Sequence, residues 1–150
     1  MKKALFIIII LAFLGYVIFH MQETKSISTE TSTYCYAWIS EETPVPSTRT
    51  IEFTVLEDGS VTGTDTWLPA ETDSNRATFT GAKNGDSLIT IATVTGEGMT
   101  NLEERYYLLT EEGIMPGYSS TGLTLADDGV YRGSRENIVY SQLVPQVSCK

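Results

Sequence analysis

The stretch Val55 to Gly63, VLEDGSVTG, sets two adjacent acids against a glycine, with a second glycine four residues on. Carboxylates at such a bend are the material of a calcium loop. Calcium asks for more oxygen, about 6–8 donors, and an EF-hand places acids at alternate positions and closes with a bidentate Glu. That pattern is absent here, as is the Gly-Gly-x-Gly-x-Asp array of calcium-binding β-rolls. The motif recurs instead as EEGIMPG (Glu111 to Gly117) and DDGVYRG (Asp127 to Gly133). Acid-acid-Gly after an apolar alternation is a hinge: glycine takes the left-handed conformation that closes a three-residue hairpin loop, and the acid bonds local amides. We therefore assign it to turning the chain and expect neither a metal nor a cofactor.

Other chemistries are short of parts. The single histidine is His20, at the end of an apolar run, so residues 21–150 hold none for a Ser-His-Asp triad, a Cys-His pair or a histidine-ligated metal. No glycine-rich loop leads from a strand into a helix, so no nucleotide site is expected. Two carboxylates could serve a glycosidase, but nineteen acids make some pair arguable in any fold. The expectation is a protein that is not an enzyme. The two cysteines, Cys35 in YCYAW and Cys149 in VSCK, lack the close spacing of a metal or redox pair and read as a disulfide. In the chain-entropy picture a bond closing so long a loop stabilises by up to about 4–5 kcal/mol.

The residues that must position any site begin with Lys2-Lys3 and ALFIIIILAFLGYVIF (Ala4 to Phe19), an uncharged apolar run. Residues 1–20 are expected to be a signal peptide or an uncleaved signal anchor, with the N-terminus held in the cytoplasm and the remainder exported. Residues 21–33 read as a polar linker and 34–150 as one domain. All nineteen acids but only eight of the ten bases lie beyond residue 20, a balance of −11. Such a charge argues against nucleic acid and anionic membrane surfaces as partners and permits a basic protein. The expected location is extracytoplasmic, periplasmic or at the cell surface, with membrane contact only through an uncut leader.

From Tyr34 onward the apolar pattern has period two: Ile51, Phe53 and Val55, then Ala77 and Phe79, Leu123 and Leu125, Ile138 and Tyr140. No window supports a long amphipathic helix, so the domain is expected to be all-β, an antiparallel up-and-down meander of 8–10 strands, closed as a barrel or, alternatively, split as a β-sandwich. The predicted strands are 34–40, 50–57, 60–68, 76–82, 87–95, 103–110, 113–118, 121–126, 129–133 and 137–144. In a meander every second connection falls at the same end. The tight junctions at 57–59, 83–86, 111–113 and 127–129 are thereby placed at one end, and the longer ones at 41–49, 69–75 and 96–102 at the other. The loop-rich end is the expected mouth.

The run FTVLEDGSVTG, with ATFTGAKNGDSLITI and RYYLLTEEGI after it, resembles the strand rhythm of bacterial lipocalin-like (calycin) domains over residues 50–133. The first-strand Gly-x-Trp of that family has no counterpart in YAWIS, and no family residue is carried over. The resemblance implies a barrel with an interior site for a small apolar ligand.

Candidate ligand contacts gather at the expected mouth: Trp67, Leu68, Met99 and Tyr118, with Pro44, Val45 and Pro46 nearby, and Arg132 and Arg135 flanking a turn. Tyr34, Tyr36 and Trp38 share one face, read as aromatic pairs of an outer strand, with a stacking surface as the alternative. Three functions are expected from these residues: a small apolar or amphiphilic ligand bound at the loop end, an acidic protein–protein module such as an inhibitor or envelope-assembly factor, or a structural domain without ligand. An interior filled by Phe53, Trp67, Phe79, Leu109 and Leu125 would favour the last.

Overall fold

The computed structural model describes residues 31–41, 44–70 and 72–149. The apolar run 4–19 and most of the polar linker lie outside them. The strands are β1 (Ser32–Ile39), β2 (Thr48–Val55), β3 (Ser60–Leu68), β4 (Asn75–Asn84), β5 (Ser87–Gly96), β6 (Met99–Leu109), β7 (Gly113–Ser119), β8 (Thr124–Leu125), β9 (Val130–Arg132), β10 (Ile138–Tyr140) and β11 (Val144–Val147), with a 3-10 turn at Arg135–Asn137. β1 to β7 pair in sequence, β11 pairs with both β7 and β1, and the ring closes as an eight-stranded antiparallel barrel. The sandwich alternative is thereby set aside.

The last ring strand is broken. Tyr140 faces Gly117 and Val144 faces Ile114, so four steps along this strand span three along β7. The extra residue is a bulge, anchored where Ser141 donates from both its amide and its hydroxyl to the Pro116 carbonyl.

The closed end is made by the turns at 57–59, 85–86 and 110–112. At the first, Gly59 has φ +78° and Asp58 accepts the Ser60 amide at 2.8 Å, the hinge its sequence predicts. The EEG hinge differs. Gly113 is not left-handed; it is needed because a Cβ there would lie 2.3 Å from the Val144 carbonyl oxygen of the neighbouring strand.

Two features change the expected ends. The connection predicted as long at 96–102 is a two-residue turn, with Glu97 at φ 52° and Gly98 at φ 76°, and β6 starts at Met99. These paired positive angles match the twist of the flanking strands. Residues 120–137 leave the ring altogether. β8 and β9 form a hairpin, and β9 adds to β6 in parallel at Leu102 and Glu103, beyond the point where β7 has parted from it. Because β9 runs with β6, the Asp127-Asp128-Gly129 turn sits at the open end, opposite to the prediction; strand parity fails once one hairpin steps outside the barrel.

Alternate residues point inward. Ile51, Phe53, Val61, Phe79, Leu88, Ala92, Tyr107, Ile114 and Val144 are buried together and fill the closed half. Gly63 stands between Phe53 and Phe79, where a Cβ would come 2.6 Å from the Phe53 Cβ and 2.7 Å from the Phe79 ring. Tyr34, Tyr36 and Trp38 also face inward, and β1 is not the outer strand expected but a ring strand with neighbours on both sides. Their cross-strand pairing holds: Tyr34 and Tyr36 stack on Phe53 with centroids 5.2 and 5.8 Å apart. On the outer side of β1, Cys35 is bonded to Cys149, 114 positions further along the chain. Such bonds persist in oxidising compartments, which agrees with an extracytoplasmic home. Among the described residues no helix is long and apolar enough to cross a membrane.

Candidate functional site

Above the apolar half the inward faces of three strands end in charge. Arg49 continues the face of Ile51 and Phe53, Asp65 that of Val61 and Gly63, and Arg105 that of Tyr107 and Leu109. Asp65 is 1% exposed and accepts from Arg49 Nε at 3.0 Å and Nη2 at 2.7 Å, a two-pronged pair. The Tyr107 hydroxyl donates to it at 3.0 Å and Arg105 Nη1 approaches at 3.5 Å. Arg105 Nη2 reaches Asn75 Oδ1 at 3.3 Å and Glu103 Oε2 at 3.4 Å. Burial first, and then the Asp65 carboxylate, push the Tyr107 hydroxyl far above its ordinary value, so it stays protonated. Burial opposes the charge of Arg105, but Tyr107, Asp65 and Glu103 together outweigh it and hold the guanidinium charged.

Arg49, Asn75, Glu103, Arg105 and Tyr107, with Asp65 buried beneath them, floor an open recess of about 310 Å³ at the place where β6 and β7 diverge; Trp67, Pro116, Tyr118 and Leu123 wall it, and Glu104 and Tyr106 border it at the gap. The tryptophans of the chain, Trp38 and Trp67, stack beside it at 5.8 Å. The interior is therefore neither empty throughout nor filled throughout.

The predicted contacts divide three ways. Trp67 and Tyr118 line the recess. Leu68 and Met99 are not in its lining and are 37% and 60% exposed: Leu68 alternates with Trp67, and Met99, though in phase with Glu103 and Arg105, stands at the rim where β6 begins after the tight turn. Arg132 and Arg135 belong to a second cluster on the outside of β6. There Glu104 is covered by the excursion 120–137: Arg135 Nη2 donates to Oε1 at 2.5 Å, Arg132 Nε lies 3.9 Å away, and the Tyr106 hydroxyl donates to Oε2. Burial would raise the Glu104 carboxyl, but Arg135, Tyr106 and Arg132 together hold it below the usual range. Leu125, expected inside, is 60% exposed on β8, again because that hairpin is outside the ring.

Sequence reading missed Arg49, Asp65, Glu103 and Arg105. The signal was present: each is a charge in phase with an inward face, Arg49 with Ile51 and Phe53, Asp65 with Val61 and Trp67, and Glu103 and Arg105 with Tyr107 and Leu109. Among the described residues no group of three or more His, Cys, Asp or Glu is placed to hold a metal ion. The chain matches no protein-family model, no curated protein and no solved structure.

Proposed function

We propose that this is an extracytoplasmic, non-enzymatic binding domain that holds a small amphiphilic ligand at the open end of its barrel, secreted or tethered through residues 4–19. The observation that carries the reading is the division of the interior: a packed apolar half below, and above it an open recess whose polar floor meets the apolar walls Trp67, Tyr118 and Leu123. Its 310 Å³ is at the lower bound of small-ligand sites, which run from about 300 to 1,000 Å³. The lipocalin-like reading of the strand rhythm is part of this proposal, and an eight-stranded closed barrel is compatible with it.

The test is the mass of the exported protein, purified under native conditions and weighed with and without denaturation, and then tryptophan emission of the stripped protein titrated with alkyl amphiphiles. A carried mass lost on unfolding, or a saturable emission change, is expected. No carried mass and no emission change with any amphiphile would refute ligand binding.

A second reading, a protein–protein module with a basic partner, draws on exposed apolar side chains around the same end: Ile39, Met99 and Leu125 are each at least 60% exposed. If it is right, binding to cationic candidate proteins weakens between low salt and about 0.15 M.

A further inference from the structure

The recess contains cations but has already spent them. Asp65 takes both prongs of Arg49, a contact from Arg105 and the Tyr107 hydroxyl, three of these four on Oδ2, so its charge is already committed to groups of the chain. Glu103, in the lining and one-fifth exposed, offsets the second guanidinium at 3.4 Å. Arg49 and Arg105 with Asp65 and Glu103 leave the floor with no net charge, and Glu104, which also borders the recess, is matched by Arg135. From this we infer that the chain supplies its own anion to the arginine pair, so that the recess takes ligands with an uncharged polar head, a hydroxyl or an amide. This deepens the ligand-binding reading and rests on it.

The exclusion works in both directions. A carboxylate head would meet guanidiniums whose best-directed donors face Asp65, with Glu103 beside them repelling it. An ammonium head would meet Arg49 and Arg105. Either adds an unpaired charge to a partly buried site, which is costly. An uncharged head adds none. Arg49 gives Nε and Nη2 to Asp65, which leaves Nη1 outside that pair; Glu103 meets Arg105 through Oε2, which leaves Oε1 outside that one. A hydroxyl or primary amide accepts from the first kind of atom and donates to the second, while its chain lies along Trp67, Tyr118 and Leu123.

The experiment holds the chain length fixed and changes only the head: octanamide, octanoate and octylammonium, titrated into the stripped protein at neutral pH and about 0.15 M salt, where nonspecific attraction to the acidic surface is screened. Binding is read by tryptophan emission and checked by calorimetry. Octanamide is expected to bind about tenfold more tightly than either ion. Glu103→Gln, which leaves the floor with one net positive charge at a part-exposed position, is expected to reverse the order of octanoate and octanamide; a thermal melt verifies that the variant folds. Wild-type preference for either ion overturns the inference while sparing ligand binding, and so does an octanoate-to-octanamide ratio unchanged in the variant. Failure of all three probes to bind, with no native mass carried, sinks the ligand-binding reading itself.

Discussion

Two carboxylates, Asp65 of β3 and Glu104 of β6, are each met by two arginines and a tyrosine, in clusters on opposite faces of β6. Inside the barrel Asp65 joins Arg49, Arg105 and Tyr107; outside, Glu104 joins Arg132, Arg135 and Tyr106. β6 supplies Arg105 and Tyr107 to the first and Glu104 and Tyr106 to the second, by simple alternation. The chemistry is the same, but the connectivity differs. The inner cluster ties the paired strands β2 and β3 to β6 across the barrel, so its full set of contacts forms only when the ring is closed. The outer cluster ties one strand to residues 132 and 135 of a single excursion. The first belongs to global stability, the second to the attachment of a strap.

That contrast can be broken by experiment. Asp65→Ala should have the largest effect, about 3–5 kcal/mol off the unfolding free energy, because it strands two guanidiniums in a part-buried site. Urea denaturation measures it, and a loss under about 1 kcal/mol would mean that the barrel does not depend on the cluster. Glu104→Gln should cost less, about 1–3 kcal/mol, and locally. Amide hydrogen exchange should quicken across 120–137 while β2, β3 and β4 remain protected; uniform quickening would merge the two regions into one cooperative unit.

The smallest effect at neutral pH lies in the two tyrosines. Tyr106 is pushed up to about 12 by burial and by Glu104, and Tyr107 further still. A raised value means that the contribution of Tyr106 to stability is complete below its unfolded value of about 10 and lost as the pH climbs through its folded one. Glu104 has the opposite sign: its lowered value makes its contribution complete above the ordinary carboxylate range and lost as the pH falls below it. Phenolate absorbance should therefore show Tyr106 ionising well after the exposed tyrosines, together with quickened exchange in the excursion. Simultaneous ionisation of all of them would contradict the buried outer cluster.

Much of this was legible in the residues. Period-two alternation placed the ring strands, and the Glu57-Asp58-Gly59 hinge is where its chemistry puts it. What the alternation could not reveal was topology. Nothing in DDGVYRG distinguishes a hairpin inside the ring from one added to an edge, since both demand the same turn; the difference is made by Glu104, whose burial needs arginines brought from outside. The polar floor was hidden for a related reason. A charge on an alternating strand reads as solvent-facing unless its phase is counted, and Asp65 is in phase with Val61 and Trp67, not with the threonines on either side of it.

The Cys35–Cys149 bond has a mechanical consequence. β1 leaves Ser32 at the closed end, and β11, antiparallel to it, returns there. Tension applied between the two ends of the described chain runs through the sulfur–sulfur link, and of β1 only Ser32, Thr33 and Tyr34 lie outside the covalent loop. The hydrogen-bonded wall is shielded from the load. A protein pulled by its ends would keep its barrel, and with it the recess at the far end, unstretched.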